Sequence, residues 1–219
     1  MATRDLNLDQ LLTAIKETVF MTLVSVFFAC IIGLVIGILL FCTSSNGLFR
    51  NRIINKIMDV VVNVLRAIPF IILLILVIPL TKLLVGSSLG AKAALPSLTL
   101  AAAPFYARLC MIAFTEVDKG TIEASKSMGA TNLQIITKVL IPEALPALIS
   151  GITVTAVSLV SYTAMAGAIG AGGLGNLAYM YGFARRNNAV LYTSTVIIVL
   201  FVFALQRAGD FIVQKTDKR

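Results

Sequence analysis

Charged positions along this chain come in clusters, separated by long apolar runs. No Asp, Glu, Lys or Arg occurs between Glu17 and Arg50, Arg66 and Lys82, Lys92 and Arg108, Glu143 and Arg185, or Arg186 and Arg207. About 20 apolar residues cross a bilayer as a helix. The five gaps therefore predict five transmembrane helices, over residues 18–42, 60–81, 91–114, 147–168 and 189–206. Ahead of the first, Leu8, Leu11, Leu12 and Ile15 form a helical apolar stripe in a polar stretch of mixed charge. That pattern predicts a helix lying on the membrane surface, and the mixed charge is unlike a cleaved signal.

Composition agrees with the pattern. Hydrophobic residues make up 58% of the 219 positions, charged residues 13%, and histidine is absent. A soluble domain is about 45–50% apolar and about 25% charged, so lipid must solvate much of this chain. The expected fold is all-α and polytopic, a single transmembrane domain over 1–219. Cys30, Cys42 and Cys110 lie in or beside apolar spans without paired or metal-type spacing, and read as packing or lipid-side residues.

Charge sets the orientation. Arg50, Arg52 and Lys56 follow the first span, Lys119, Lys126 and Lys138 the third, and Arg207, Lys215, Lys218 and Arg219 form the tail. These ten face six on the other side: Arg4, Lys16, Lys82, Lys92, Arg185 and Arg186. The richer side is expected in the cytoplasm, which puts the N-terminus outside and the C-terminus inside. Orientation thus accounts for the net charge of +8. No stretch combines basic residues with stacking aromatics as a nucleic-acid groove requires.

Gly170, Gly172 and Gly175 in "GAIGAGGLGN" spell G-x-G-x-x-G. A dinucleotide fingerprint needs a preceding strand and an acid about 20 residues on. Here an apolar helix precedes it, and the next acid after Glu143 is Asp210. The match is accidental. Glycines at that density disfavour regular helix at ~1 kcal/mol each relative to Ala, which leaves either an external loop or a re-entrant hinge lining a pathway.

The connection 116–146 contains "EVDKGTIEASKSMGATNLQIITKVLIPEALP". A helix over 119–128 would end at Gly129 in a left-handed cap. A second would start at Thr131, where Thr131 and Gln134 match a capping box, with Pro142 and Pro146 separating it from span four. Ile122, Leu133, Ile136 and Val139 supply apolar surface, and Lys119, Glu123 and Lys126 are spaced to pair with one another on a solvated helix.

"EASKSMGATNLQIITKVLIP" resembles the EAA motif of ATP-binding-cassette importer permeases. Glu123, Ala124, Gly129 and Pro142 match in register; Ser125 replaces the second Ala, Val139 the Ile and Ile141 the Leu. "RAIPFIILLILVIPLTKLLVGSSLG", "AAPFYAR", "IPEALPALISGITVT" and "SYTAMAGAIGAGGLG" are similar to the permease subunits of methionine-type importers, so the resemblance covers nearly the whole chain. It implies a type I importer fold in the bacterial inner membrane. The implied assembly has two permease copies, two cytoplasmic ATPase subunits that use ATP and Mg, and an extracytoplasmic binding protein. It also implies that Glu123, Ala124, Ser125, Gly129 and Ala130 belong to a coupling helix gripped by the ATPase.

The residues agree independently on several points. No Gly-Lys dipeptide occurs, hence no Walker A loop, and ATP must be handled by another chain. Five spans cannot form two equal repeats, so a pathway is more easily built between two copies. An ion-driven secondary transporter is the principal alternative, but Asp59, Glu116 and Glu143 all fall at span ends instead of the midplane. A membrane enzyme lacks a nucleophile–base pair or a metal-ligand cluster, so no catalytic or metal-binding residue is expected. Met165, among Ala164, Ala166, Gly167 and Ala168, has two readings: a lipid-side or core filler, or a thioether gate where two copies meet, with Tyr162 as a polar handle beneath. Arg66 and Arg108 likewise read either as snorkelling residues or as pathway or carbonyl contacts beside Pro69 and Pro104.

Overall fold

The computed structural model describes residues 8–45 and 47–216. Among these, all regular structure is helical: α1 (Leu8–Thr43), α2 (Arg52–Ala67), α3 (Phe70–Val85), α4 (Ala91–Thr115), α5 (Lys119–Ser127), α6 (Asn132–Ile135), α7 (Ile141–Ala166), α8 (Gly173–Asn176) and α9 (Asn188–Thr216). α1, α4, α9 and the run Asn132–Ala171 are each long and apolar enough to cross a membrane, and the pair α2–α3 supplies the fifth candidate span.

α1 and α4 form the central pair. Gly33 and Gly37 stand one helical turn apart on α1, and α4 presents Ala103, Ala107 and Cys110 to them. A Cβ on Gly33 would lie 2.7 Å from the Ala103 carbonyl oxygen, and one on Gly37 would lie 2.5 Å from Cys110 Cβ. In lipid, helices gain nothing by hiding apolar side chains from each other, so close approach over small residues carries the association. Tyr106 of α4 extends the seam to α7, donating its hydroxyl to the Leu148 carbonyl at 3.3 Å.

Four expectations need correction. The stripe at Leu8, Leu11, Leu12 and Ile15 does not form a separate surface helix: α1 runs unbroken from Leu8, because Leu11 and Ala14 bury against Leu174, Leu177 and Val190. The span expected over 60–81 is not straight. Pro69 has no N–H and forces Ile68 out of the helical region (ψ 124), and α2 and α3 meet at 109°. Pro142 and Pro146 do not separate the second loop helix from span four. A π-helical turn over Ile136–Leu140 widens the backbone ahead of Pro142, and the helix continues through it. Arg108 binds no carbonyl. It meets Asp59 at 3.1 Å and Asn63 Oδ1 at 3.1 Å, and Asn63 donates to Asp59 at 2.9 Å.

The bundle has two distinct ends. At one, the last turns of α1 and α4 pack Phe41, Cys42, Phe114 and Val117 around Ile122, Ile135 and Leu140. At the other, the start of α1 meets α8 and α9, and Gly90 N–H donates to the Gly170 carbonyl at 2.9 Å, tying the α3–α4 connection to the glycine segment.

Gly37→Val should lower the unfolding temperature of the purified protein, with an overpacking cost of about 1–3 kcal/mol. Cys42 and Cys110 are buried and there is no Trp, so a thiol-reactive fluorogenic dye reports the transition. Leu39→Val, on the exposed face of α1, should shift it little. Equal shifts for the two variants would remove the seam from its central role.

Candidate functional site

The connection between α4 and α7 is a rigid helix–turn–helix. Asp118 caps α5, its carboxylate accepting from Thr121 N–H at 2.9 Å. Ser125 is buried and returns its hydroxyl to the Thr121 carbonyl at 2.8 Å. The end of α5 is a Schellman motif: Ala130 N–H reaches the Ser125 carbonyl (3.1 Å) and Gly129 N–H the Lys126 carbonyl (2.9 Å). Gly129 has φ +81 with nothing within 4 Å of a built Cβ, so its requirement is conformational and not spatial. Thr131 and Gln134 then form the reciprocal capping box, at 3.3 and 2.8 Å. The Gly129 cap and the capping box are therefore where the sequence reading put them.

Burial sorts the predicted residues into two sets. Ile122 and Ser125 face the bundle, and Ala130 packs against the same cluster. Glu123, Ala124, Lys126, Met128 and Leu133 face outward, with Met128 81% and Leu133 70% exposed. Lys119, Glu123 and Lys126 do not pair with one another, since no ion pair joins any two of them. Ile135 and Leu140, the fully buried anchors of the second half, were missed. The helical phase counted from the Thr131 cap was the available signal.

The glycine segment is re-entrant. α7 breaks at Ile169 (φ −111) and Gly170 (φ +104), and the chain turns back so that α8 lies against the last turn of α7. Gly175 packs directly on the Ala164 backbone, leaving no room for a Cβ, and a Cβ on Gly167 would lie 2.6 Å from Asn176 N. α1 fixes the turn from the side. The Glu17 carboxylate accepts from Gly173 N–H at 2.6 Å and Thr18 Oγ1 from Leu174 N–H at 2.8 Å. Sequence reasoning did not identify Glu17 and Thr18, whose partners lie more than 150 positions away.

The three residues suggested for a gate do not share one environment. Tyr162 stacks on Phe70 of α3, ring centres 4.7 Å apart and nearly parallel. Gly167 is buried in the hairpin, and Met165 stands 46% exposed. Met165 continues an exposed row along α7 with Ser150, Val154 and Ser161. Beside the lower part of that row a cleft of about 520 Å³ opens between α7 and α9, lined by Ser150, Thr153, Ser158, Gln206 and Asp210 among others. A hydroxyl-bearing exposed row on a membrane-spanning helix is poorly matched to lipid and well matched to a second copy or a water-filled path.

Residues 31–219 match the family described as the binding-protein-dependent transport system inner membrane component. The chain is 54% identical over 215 residues to the methionine import system permease protein MetP of Bacillus subtilis (strain 168), covering 98% of this chain and 97% of that one. It is 48% identical over 203 residues to the probable D-methionine transport system permease protein MetI of Pasteurella multocida (strain Pm70), covering 93% and 94%. Among solved structures, a chain of the MetNI methionine ABC transporter in an inward-facing conformation superposes with a TM-score of 0.95 at 44% identity, over 100% of both chains. The type I importer permease fold is thus the fold of this chain, which belongs to the family of inner-membrane components of binding-protein-dependent transport systems.

Proposed function

We propose that this chain is the permease subunit of an ATP-binding-cassette importer for methionine or a closely related amino acid. Residues 1–219 act as one transmembrane domain, and two copies enclose the pathway. An extracytoplasmic binding protein delivers the substrate, and two cytoplasmic ATPase subunits hydrolyse ATP with Mg. The chain itself is a transporter subunit and not an enzyme. The likeness over nearly the full length to methionine permeases carries the reading. The helix–turn–helix supports it. Glu123 and Ala124 lie on its outward face while Ser125 and Ala130 anchor it, so residues 116–146 can pass a push from the ATPase into the packed ends of α1 and α4. Uptake of radiolabelled methionine by vesicles carrying the whole complex should require ATP and the binding protein. Uptake driven by an ion gradient without ATP would replace this reading with a secondary transporter.

The orientation reading puts the coupling loop in the cytoplasm and the opposite end outside. In intact cells an impermeant maleimide should label Ser88→Cys, and Lys126→Cys only after permeabilisation. The reverse pattern would invert the topology.

Glu123→Lys should lower binding-protein-stimulated ATP hydrolysis about tenfold while membrane insertion is unchanged, a loss of about 1.4 kcal/mol of docking. Gly129→Asp should do the same, because a β-carbon at φ +81 strains the cap by about 1–2 kcal/mol and adds charge to the docking face. Gly129→Asn, which tolerates the left-handed region better, should be milder. Full stimulated hydrolysis in the first two variants would refute coupling through this loop.

With the native cysteines replaced, Met165→Cys should form a disulfide between two copies in the resting complex. The absence of a crosslink in every nucleotide state, with normal uptake by Met165→Ala, would remove Met165 from the gate and, with it, the supporting roles given to Tyr162 and Gly167.

A further inference from the structure

α2 carries one polar row on the side that meets α1 and α4. Asn55, Asp59 and Asn63 recur every four residues, and Arg66 continues the row three residues later. The opposite face, Ile53, Ile57, Val60, Val61 and Val64, is exposed and apolar, as lipid requires. Of the sixteen residues in the helix only Val62 is buried, so polar contacts hold α2 in place. Asn55 donates to the Leu40 carbonyl (2.8 Å) and to Thr43 Oγ1 (3.1 Å), while Asp59 and Asn63 bind Arg108. Arg66 is exposed and, among the described residues, has neither a hydrogen bond nor an ion pair.

Its depth makes that unusual. α2 runs antiparallel to α4: Asn55 lies at the end of α1, Asn63 meets Arg108, and Phe70 packs with Leu98 and Ala102. Three residues beyond Asn63, Arg66 is level with about residue 105 of α4. That is about ten residues, or about 15 Å of helix, from the Thr115 end. Extended toward that end, the stem stops well short of Thr115, and an unpaired intramembrane cation faces water or a ligand.

We propose that the polar row of α2 lines the pathway between the midplane and the end that carries the helix–turn–helix, and that Arg66 receives the carboxylate of the amino acid in transit. The proposal rests on the amino-acid importer reading above. A planar guanidinium binds a carboxylate through two parallel hydrogen bonds. Beyond it, the partly exposed Asp59–Arg108 pair offers both signs of charge to a zwitterion that carries both.

The test uses the reconstituted complex with its ATPase subunits and binding protein, with thiol modification at each site quantified by mass spectrometry. Arg66→Cys should react with 2-aminoethyl methanethiosulfonate at least about tenfold faster than lipid-facing Val64→Cys. Its uptake per ATP hydrolysed should fall about tenfold. The aminoethyl reagent, which restores a cation, should recover uptake, and the neutral methyl reagent should not. Arg66→Lys should retain more uptake than Arg66→Gln, which keeps the comparison readable if the cysteine variant does not assemble. Equally slow modification at positions 64 and 66, equal recovery by the neutral reagent, or equal uptake by the Lys and Gln variants would overturn the proposal. Failure of the native complex to import any amino acid would instead overturn the importer reading, leaving the modification rates to report on the pathway alone.

Discussion

The close contact of α1 with α4 is the constraint on which the rest of the structure depends. Two glycines bring the helix axes together, and that approach decides what every other element can touch. Tyr106 reaches α7 because α4 is held at this distance, and Phe41 meets Phe114 with ring centres 5.9 Å apart at the far end of the same seam. The floor made there receives Ile122, Ile135 and Leu140. The helix–turn–helix in contact with this floor can therefore move only with the seam or against it.

The bundle combines two kinds of attachment. α1, α4 and α7 are joined by small residues and buried apolar side chains, contacts that a shift of an ångström would forfeit. α2 is attached more lightly, through an Asn–Asp–Arg clasp and the bonds of Asn55 to the end of α1, whereas α3 buries Phe70, Leu73 and Val77 in the bundle. Polar clasps have alternative partners in water and tolerate rearrangement better than interlocked glycines. The division gives the molecule a packed frame and one helix held by polar contacts, which leads through Pro69 into Phe70 on Tyr162 of α7.

Much of this was legible in the sequence, and the rest was hidden for identifiable reasons. Gaps between charges located the spans because burying charge in lipid is costly at every position, a rule that needs no tertiary knowledge. Gly129 and the Thr131–Gln134 box were legible because caps are local. Pro69 was visible but outweighed by the apolar run around it, and only the observed bend shows that the run is two helices. Pro142 misled in the opposite direction, since a π-helical turn absorbs the clash that a proline usually causes. The Asp59–Arg108 pair and the Glu17–Gly173 bond link residues far apart in sequence, and local pattern carries no information about either. Gly33 and Gly37 stood in the sequence as G-x-x-x-G, overshadowed by the denser glycines near the other end.

The Glu17–Gly173 bond has a consequence for biosynthesis. It joins residues 156 positions apart, across nearly the whole chain. α1 leaves the ribosome first, yet its Glu17 acquires a partner only after α7 has been made and α8 has folded back. Until then the Glu17 carboxylate has water in place of the Gly173 N–H. A chain stalled before α8 would leave the Glu17 carboxylate and the Thr18 hydroxyl without these backbone partners, so the start of α1 is among the last parts of the bundle to be completed.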